Sequence, residues 1–224
     1  MAMNDIISLR AELSRLSDID YKAFNDRIVS KPDIVSYGVR MIELRRIARE
    51  ILREPEWYIE LFPTDSHEEH MILALVIAGL RCPMTEKRPL IDRFVRTVDN
   101  WAVCDSFVAA LKLEADTEGY EWLRGYALSD SEFAVRFGIV SLMTYYYVEE
   151  YRHSAIEVIL SAPRLGYYVD MAIAWALSVA YVLDKTLTER YLIDPRVDGR
   201  LYAMTRRKIL DSYRVSDSDK AKIR

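Results

Sequence analysis

Apolar residues recur three and four positions apart along most of the chain, the spacing that lines one face of an α-helix. The pattern is plain in ISLRAELSRL (7–16), ELRRIAREIL (43–52), ILALVIAGL (72–80) and FAVRFGIVSLMTYY (133–146). Short breaks separate these segments and carry helix-boundary chemistry. Ser30-Lys31-Pro32-Asp33 reads as a turn, and Glu54-Pro55-Glu56 closes one helix and opens the next. Thr64 or Asp65, Thr85, Asp99, Asp116 or Thr117, and Ser129 or Asp130 are the candidate N-caps. No strand-period segment stands between hairpin turns. VSYGV (35–39) comes nearest and is too short to carry a sheet.

The pattern predicts roughly a dozen helices joined by short connections, hence an all-α chain. Helical segments pair as 65–81 with 86–96, 99–114 with 118–127, 130–147 with 153–161, and 168–183 with 199–213. No strict sequence repeat accompanies them. The period of about 30 to 40 residues suits an α-solenoid of HEAT-like repeats with one concave face, in a single domain over 1–224. A compact helical bundle is the alternative architecture.

Composition agrees. Hydrophobic residues make up 51% of the 224, enough for a core, while seven glycines and seven prolines are few for a fold rich in turns. Cys82 and Cys104 show no paired spacing and suggest reduced thiols in a cytoplasmic protein. MAMNDIISLRAELSRL is amphipathic and lacks the apolar stretch of a secretory signal, and the longest apolar run, MAIAWALSVAYVL (171–183), is too short to span a bilayer. The net charge of −4 gives no overall attraction to nucleic acid, so any DNA surface must gather its cations locally.

Candidate chemistry is sparse. In HEEH (67–70) the histidines stand three apart, where the zincin HExxH needs four, and only His153 remains as a further imidazole. The segment therefore reads as a solvated helix start with acidic first-turn residues rather than a metal box. Glycine-rich phosphate loops and nucleophile elbows are absent from the sequence. Basic residues cluster at Arg40, Arg45, Arg46 and Arg49, at Lys87 and Arg88, and at Arg206, Arg207 and Lys208. Each cluster suits phosphates at the rim of a groove, or merely the polar face of an amphipathic helix.

Three positions are harder to explain as ordinary packing. Asp105 follows Trp101 by one helical turn in DNWAVCDSF (99–107), on what reads as the buried side of a helix. Arg136 is flanked by Val135 and Phe137, and Trp175 lies in the most apolar helix. One account is a buried Asp105–Arg136 salt bridge walled by the two tryptophans.

The same positions carry a family resemblance. YGVRMIELRRIARE (37–50), VDNWAVCDSF (98–107), SEFAVRFGIVSLMTYY (131–146) and DMAIAWALSVAY (170–181), in this order, resemble the AlkD-type DNA alkylation repair family. These are HEAT-like repeat glycosylases that remove alkylated purines from DNA without flipping the base. The resemblance runs over nearly the whole chain. It implies that Asp105 is the catalytic carboxylate, with Trp101 and Trp175 as active-site aromatics and Arg136, three residues after Phe133, on a DNA phosphate. Arg40, Arg45, Arg46, Arg206 and Arg207 complete the expected DNA contacts. The expectation is a monomer acting on double-stranded DNA, with no cofactor, metal or membrane. A non-catalytic scaffold for unusual DNA or a protein partner is the competing reading.

Two departures stand out. Ser178 occupies the position, three after the second tryptophan, where the best-known enzymes carry an arginine. The segment SDIDYKAFNDRIVSKPDIVS before YGVR is short, as in a branch whose DNA-gripping N-terminal element is reduced to Tyr21, Lys22, Phe24 and Arg27.

Overall fold

The computed structural model describes residues 4–29 and 33–223. Among them are fourteen α-helices and no strand. The chain divides into two compact units, one up to residue 112 and one from residue 113. The first contains α1 (Ile6–Arg15), α2 (Ile19–Val29), α3 (Met41–Ile51), α4 (Glu56–Leu61), α5 (His67–Gly79), α6 (Met84–Val95) and α7 (Trp101–Leu111). The second contains α8 (Thr117–Ala127), α9 (Glu132–Tyr145), α10 (Arg152–Leu160), α11 (Tyr167–Leu183), α12 (Lys185–Leu192), α13 (Gly199–Asp211) and α14 (Asp217–Ile223). No described helix is long and apolar enough to cross a membrane.

Alternate helices pack on one another in both units, and in the second the consecutive pair α8 and α9 packs as extensively. In the first, α5 lies between α3 and α7; in the second, α11 lies between α9 and α13. This stacking is what helical repeats require, because a single pair leaves its apolar stripe wet. The central helices show it in their sequence. Met71, Ile72, Leu73, Val76 and Ile77 of α5 are all buried, as are Val169, Ala172, Ile173, Ala176 and Leu177 of α11. Aromatic rings fill the spaces between layers in the first unit. Phe94 of α6 meets Phe107 of α7 at 4.5 Å between centroids and His70 of α5 at 5.0 Å.

The periodic segments fold where the sequence places them, but the caps shift. Asp116 caps α8, its carboxylate accepting from Gly119 N–H at 2.6 Å. Elsewhere a neighbour takes the role: Ser66 rather than Thr64 or Asp65 for α5, and Asn100 rather than Asp99 for α7. The α9 helix follows Ser131 rather than Ser129 or Asp130, without a side-chain cap, and α6 follows Pro83 rather than Thr85. Several polar residues in each break can reach a free N–H, so packing of the helix body selects among them. Helices α4, α12 and α14, of six, eight and seven residues, are too short to show a clear period. The segment before YGVR carries the eleven-residue α2. The turn expected at 30–33 lies, apart from Asp33, outside the described residues; Asp33 itself is left-handed, with φ of 56°. Within the units, α7 packs on α5 and α8 on α9.

The α8–α9 contact is unusually close. A Cβ on Gly138 of α9 would stand 2.3 Å from the Ala127 nitrogen and 2.7 Å from its Cα, both backbone atoms that cannot step aside. Gly138→Ala is expected to destabilise the protein by about 2–3 kcal/mol, read as a lowered midpoint in urea melts.

Helices α1 and α3 are joined by charge. The Glu12 carboxylate accepts from Arg15 Nε at 2.7 Å and from Arg46 Nη2 at 2.7 Å. Arg15 first and then Arg46 hold the carboxyl down from 4.5 to about 2. A carboxyl depressed by folding adds stability above its unfolded pKa and loses it as pH falls towards the folded one. Unfolding free energy should therefore drop as pH falls from about 4.5 to about 2. In Glu12→Gln the drop over that window should be shallower than in the parent, by urea titration at each pH.

Candidate functional site

The sequence singled out residues in both units. In the first, the Asn100 side chain accepts from Val103 N–H at 3.0 Å and starts α7 at Trp101. Val103, Cys104, Phe107 and Val108 face the core. Trp101 and Asp105 occupy the other side and are half-buried, which corrects the reading of Asp105 as a residue on the buried face. The one-turn spacing puts indole and carboxylate on one flank of α7. Trp101 Nε1–H donates to the Ile28 carbonyl at 3.3 Å, so the end of α2 is tied to the start of α7.

In the second unit, Arg136 is buried at 4% exposure on α9. Its Nη1 donates to the Tyr168 carbonyl at 2.8 Å, while Glu132, one turn earlier, accepts from Tyr168 N–H at 2.9 Å. One residue of α11, Tyr168, is thus gripped through both its N–H and its C=O by the first turn of α9. Phe133 adds a ring contact with Tyr168 at 5.3 Å. Two turns along α11, Trp175 is half-buried among buried Ala172, Ile173, Ala174, Ala176 and Leu177. Ser178 is buried and its hydroxyl donates to the Trp175 carbonyl at 2.7 Å, so it is turned onto its own helix.

The basic candidates fall into two groups. Arg46 is enclosed by carboxylates, with Glu12 at 2.7 Å, Glu43 at 2.8 Å and Glu50 at 3.7 Å. Arg40 precedes α3, pairs with Asp18 at 2.9 Å and lies over the Tyr21 ring at 4.8 Å. Arg206 donates from Nε to the Ile223 carbonyl at 2.7 Å. Arg45 and Arg207 are exposed, Arg207 with only a distant Asp211 at 3.9 Å. Of the secondary clusters, Lys87 is buried and donates to the Ala78 carbonyl at 3.2 Å, which removes it from any rim.

The HEEH segment is where sequence reasoning went astray. All four residues are buried: His67 at 9%, Glu68 at 1%, Glu69 at 0% and His70 at 4%. Glu68 accepts three consecutive backbone N–H groups, from Tyr37 at 2.9 Å, Gly38 at 2.8 Å and Val39 at 3.1 Å. Such a run of converging donors is an anion nest, and here a side chain fills it. Gly38 makes the nest possible with φ of 79°, and its missing Cβ would meet the Asp18 carbonyl at 2.5 Å. Glu69 receives Arg10 Nε of α1 at 2.6 Å, and His70 Nε2 lies 3.0 Å from Thr97 Oγ1. HEEH and YGVR, two separate signals in the sequence, are therefore one fastening. The glycine after an aromatic and the acidic pair at a helix start were visible; that they meet was not.

Comparison with known proteins bears on the whole chain. A sequence model of the DNA alkylation repair enzyme family matches residues 9–208. The chain belongs to that family. The match runs from α1 to α13 and so includes both tryptophans, Asp105 and Arg136. No curated protein and no solved structure matches the chain. The family assignment supports a role in DNA repair and an interaction with DNA.

In this DNA alkylation repair protein the Glu68 nest holds the strand-like 35–39 segment against α5. Glu68→Ala would leave three donors facing a void, at about 1–3 kcal/mol for each one left unsatisfied. We expect loss of at least about 2 kcal/mol in unfolding free energy, with protection of the Tyr37, Gly38 and Val39 amides against hydrogen exchange lost first.

Proposed function

We propose that the protein is a DNA glycosylase that hydrolyses the N-glycosidic bond of N3- and N7-alkylated purines in double-stranded DNA, as a monomeric, cytoplasmic single-domain repeat protein. The observation that carries the reading is the pair Trp101 and Asp105, half-buried on one flank of α7 in a chain of the DNA alkylation repair family.

The chemistry follows from the lesion. Alkylation at N3 or N7 places positive charge on the purine, which weakens the bond to the sugar. The bond electrons leave with the base and neutralise it, while the sugar passes through an oxocarbenium-like state. The Asp105 carboxylate stabilises that cation and orients the attacking water, which adds its oxygen to the sugar and releases a proton. The products are a neutral alkylpurine and an abasic site. Trp101 offers an aromatic face to the cationic nucleotide, a contact of about 0.5–2 kcal/mol, and the family resemblance gives Trp175 the same role. The resemblance to the AlkD-type family implies that no base need leave the stack. Arg136 enters chiefly as the clamp on Tyr168 that fixes the helix of Trp175. A phosphate contact from it requires DNA to reach a side chain that is 4% exposed.

One observation favours a non-catalytic DNA-binding scaffold instead. Ser178 stands where the best-known relatives carry a phosphate-binding arginine, and its hydroxyl is used within α11. The two readings separate on methylated duplex DNA. Wild-type protein should release 7-methylguanine or 3-methyladenine above the spontaneous rate, and Asp105→Asn should lower release by at least about 10²-fold. Salt-dependent binding with no release at high protein concentration would sink the glycosylase and select the scaffold.

A further inference from the structure

In the first unit, the carboxyl ends of α3 and α5 carry a feature that the catalytic reading does not use. Three open hollows lie there. The first, of about 390 Å³, is lined by Ile42, Arg45, Arg49, Leu75, Ala110 and Lys112 among others. The second, of about 690 Å³, shares Arg49, Leu52 and Gly79 with it and adds Arg53 and Arg81. The third, of about 440 Å³, lies between Arg46, Arg49, Glu50 and Arg53. Arg49 borders all three, so they adjoin one another around its side chain and are taken together as one trough.

The charges along it contrast with that of Arg46, although Arg93 of α6 and Arg96 just after it are likewise exposed and form no ion pair among the described residues. Arg45, Arg49, Arg53 and Arg81 are exposed, and among the described residues none of the four forms an ion pair. Arg46, beside Arg45 in the chain, is surrounded by Glu12, Glu43 and Glu50. Carboxylates outnumber cations in this protein, 35 to 31, so a run of un-neutralised arginines is not forced by composition. Cations near a helix C-terminus do gain about 0.3–1 kcal/mol from the macrodipole, which accounts for Arg49, Arg53 and Arg81. It does not account for Arg45, in the middle of α3. Arg45 and Arg49 stand one turn apart on α3, and Arg53 follows in the turn after it. The second hollow also contains Glu56 and Glu86, whereas no carboxylate borders the first.

We infer that this trough is a seat for the phosphate backbone of DNA, with Arg45, Arg49, Arg53 and Arg81 as its ligands and the α3–α7 end as its favoured portion. Guanidinium suits the task because its planar fork matches phosphate oxygens and never loses its charge. The inference deepens the proposed function, on which it rests for the identity of the polyanion. It also replaces part of the expected contact set: Arg46 is neutralised from within, and Arg53 and Arg81 take its place.

The test is the salt dependence of binding to a short fluorescent duplex DNA, followed by anisotropy. Each phosphate contact contributes about 0.9 to the slope of log K against log salt. The Arg45→Ser, Arg49→Ser, Arg53→Ser triple variant should lose about 2–3 from that slope. The corresponding triple lysine variant should keep it, since counterion release needs only the charge. An unchanged slope in the serine variant, an equal loss in the lysine variant, or no duplex binding by the wild type overturns the inference. Base release with an unchanged slope removes the trough and leaves the glycosylase standing. A reduced slope without any base release keeps the trough and removes the glycosylase.

Discussion

A helix that is apolar around most of its circumference must be covered on opposite sides, and two helices of this protein are of that kind. In α5 the buried positions run around nearly the whole helix. Between the end residues of α11 they cover all but the half-buried stripe of Tyr168, Met171, Trp175, Val179 and Val182. Each must be flanked on opposite sides, and each is: α3 and α7 enclose one, α9 and α13 the other. That requirement organises both units. Of the flanking helices, α3 and α13 are amphipathic and turn their polar faces to water. It also explains why burial extends to close backbone contact, as at Gly138, where a methyl group has no room.

Stacking leaves helix ends inside the protein, and the buried polar groups there decide how the ends meet. Glu68 gathers three N–H donors of the 37–39 segment onto the start of α5. Glu132 and Arg136 close around one residue, Tyr168, at the start of α11. In each case a charged side chain satisfies main-chain groups that would otherwise be stranded away from water. The functional candidates depend on these fastenings. Trp175 sits two turns beyond the clamped residue, and Trp101 opens a helix that is packed on α5.

The electrostatics sort the arginines by partner rather than by position in the chain. Arg40 and Arg46 serve neighbouring carboxylates, and Arg136 serves a carbonyl. Arg45, Arg49, Arg53 and Arg81 are left facing solvent without ion pairs. Adjacent residues such as Arg45 and Arg46 thus have opposite fates, because successive side chains on a helix diverge by about 100°. In an acidic protein of a DNA repair family, local segregation of this kind is how a cationic surface can exist at all.

The sequence alone determined the helical class, the positions of the long helices and the family, because apolar period and ordered motifs are local properties. It also brought Trp101 and Asp105 onto one flank of a helix, since a four-residue spacing fixes that without any neighbour. What it could not settle was partnership. HEEH looked solvated because acidic and imidazole groups are cheapest in water, yet Glu68 is buried once the 37–39 amides, some thirty residues away, are folded onto it. Asp105 looked buried because its neighbours are apolar, yet the core lies on the other side of α7. The caps at Ser66 and Asn100 were settled by where the packed helix bodies begin. Whether a charge is spent or available depends on atoms distant in the chain, so only the tertiary structure could separate Arg46 from Arg45.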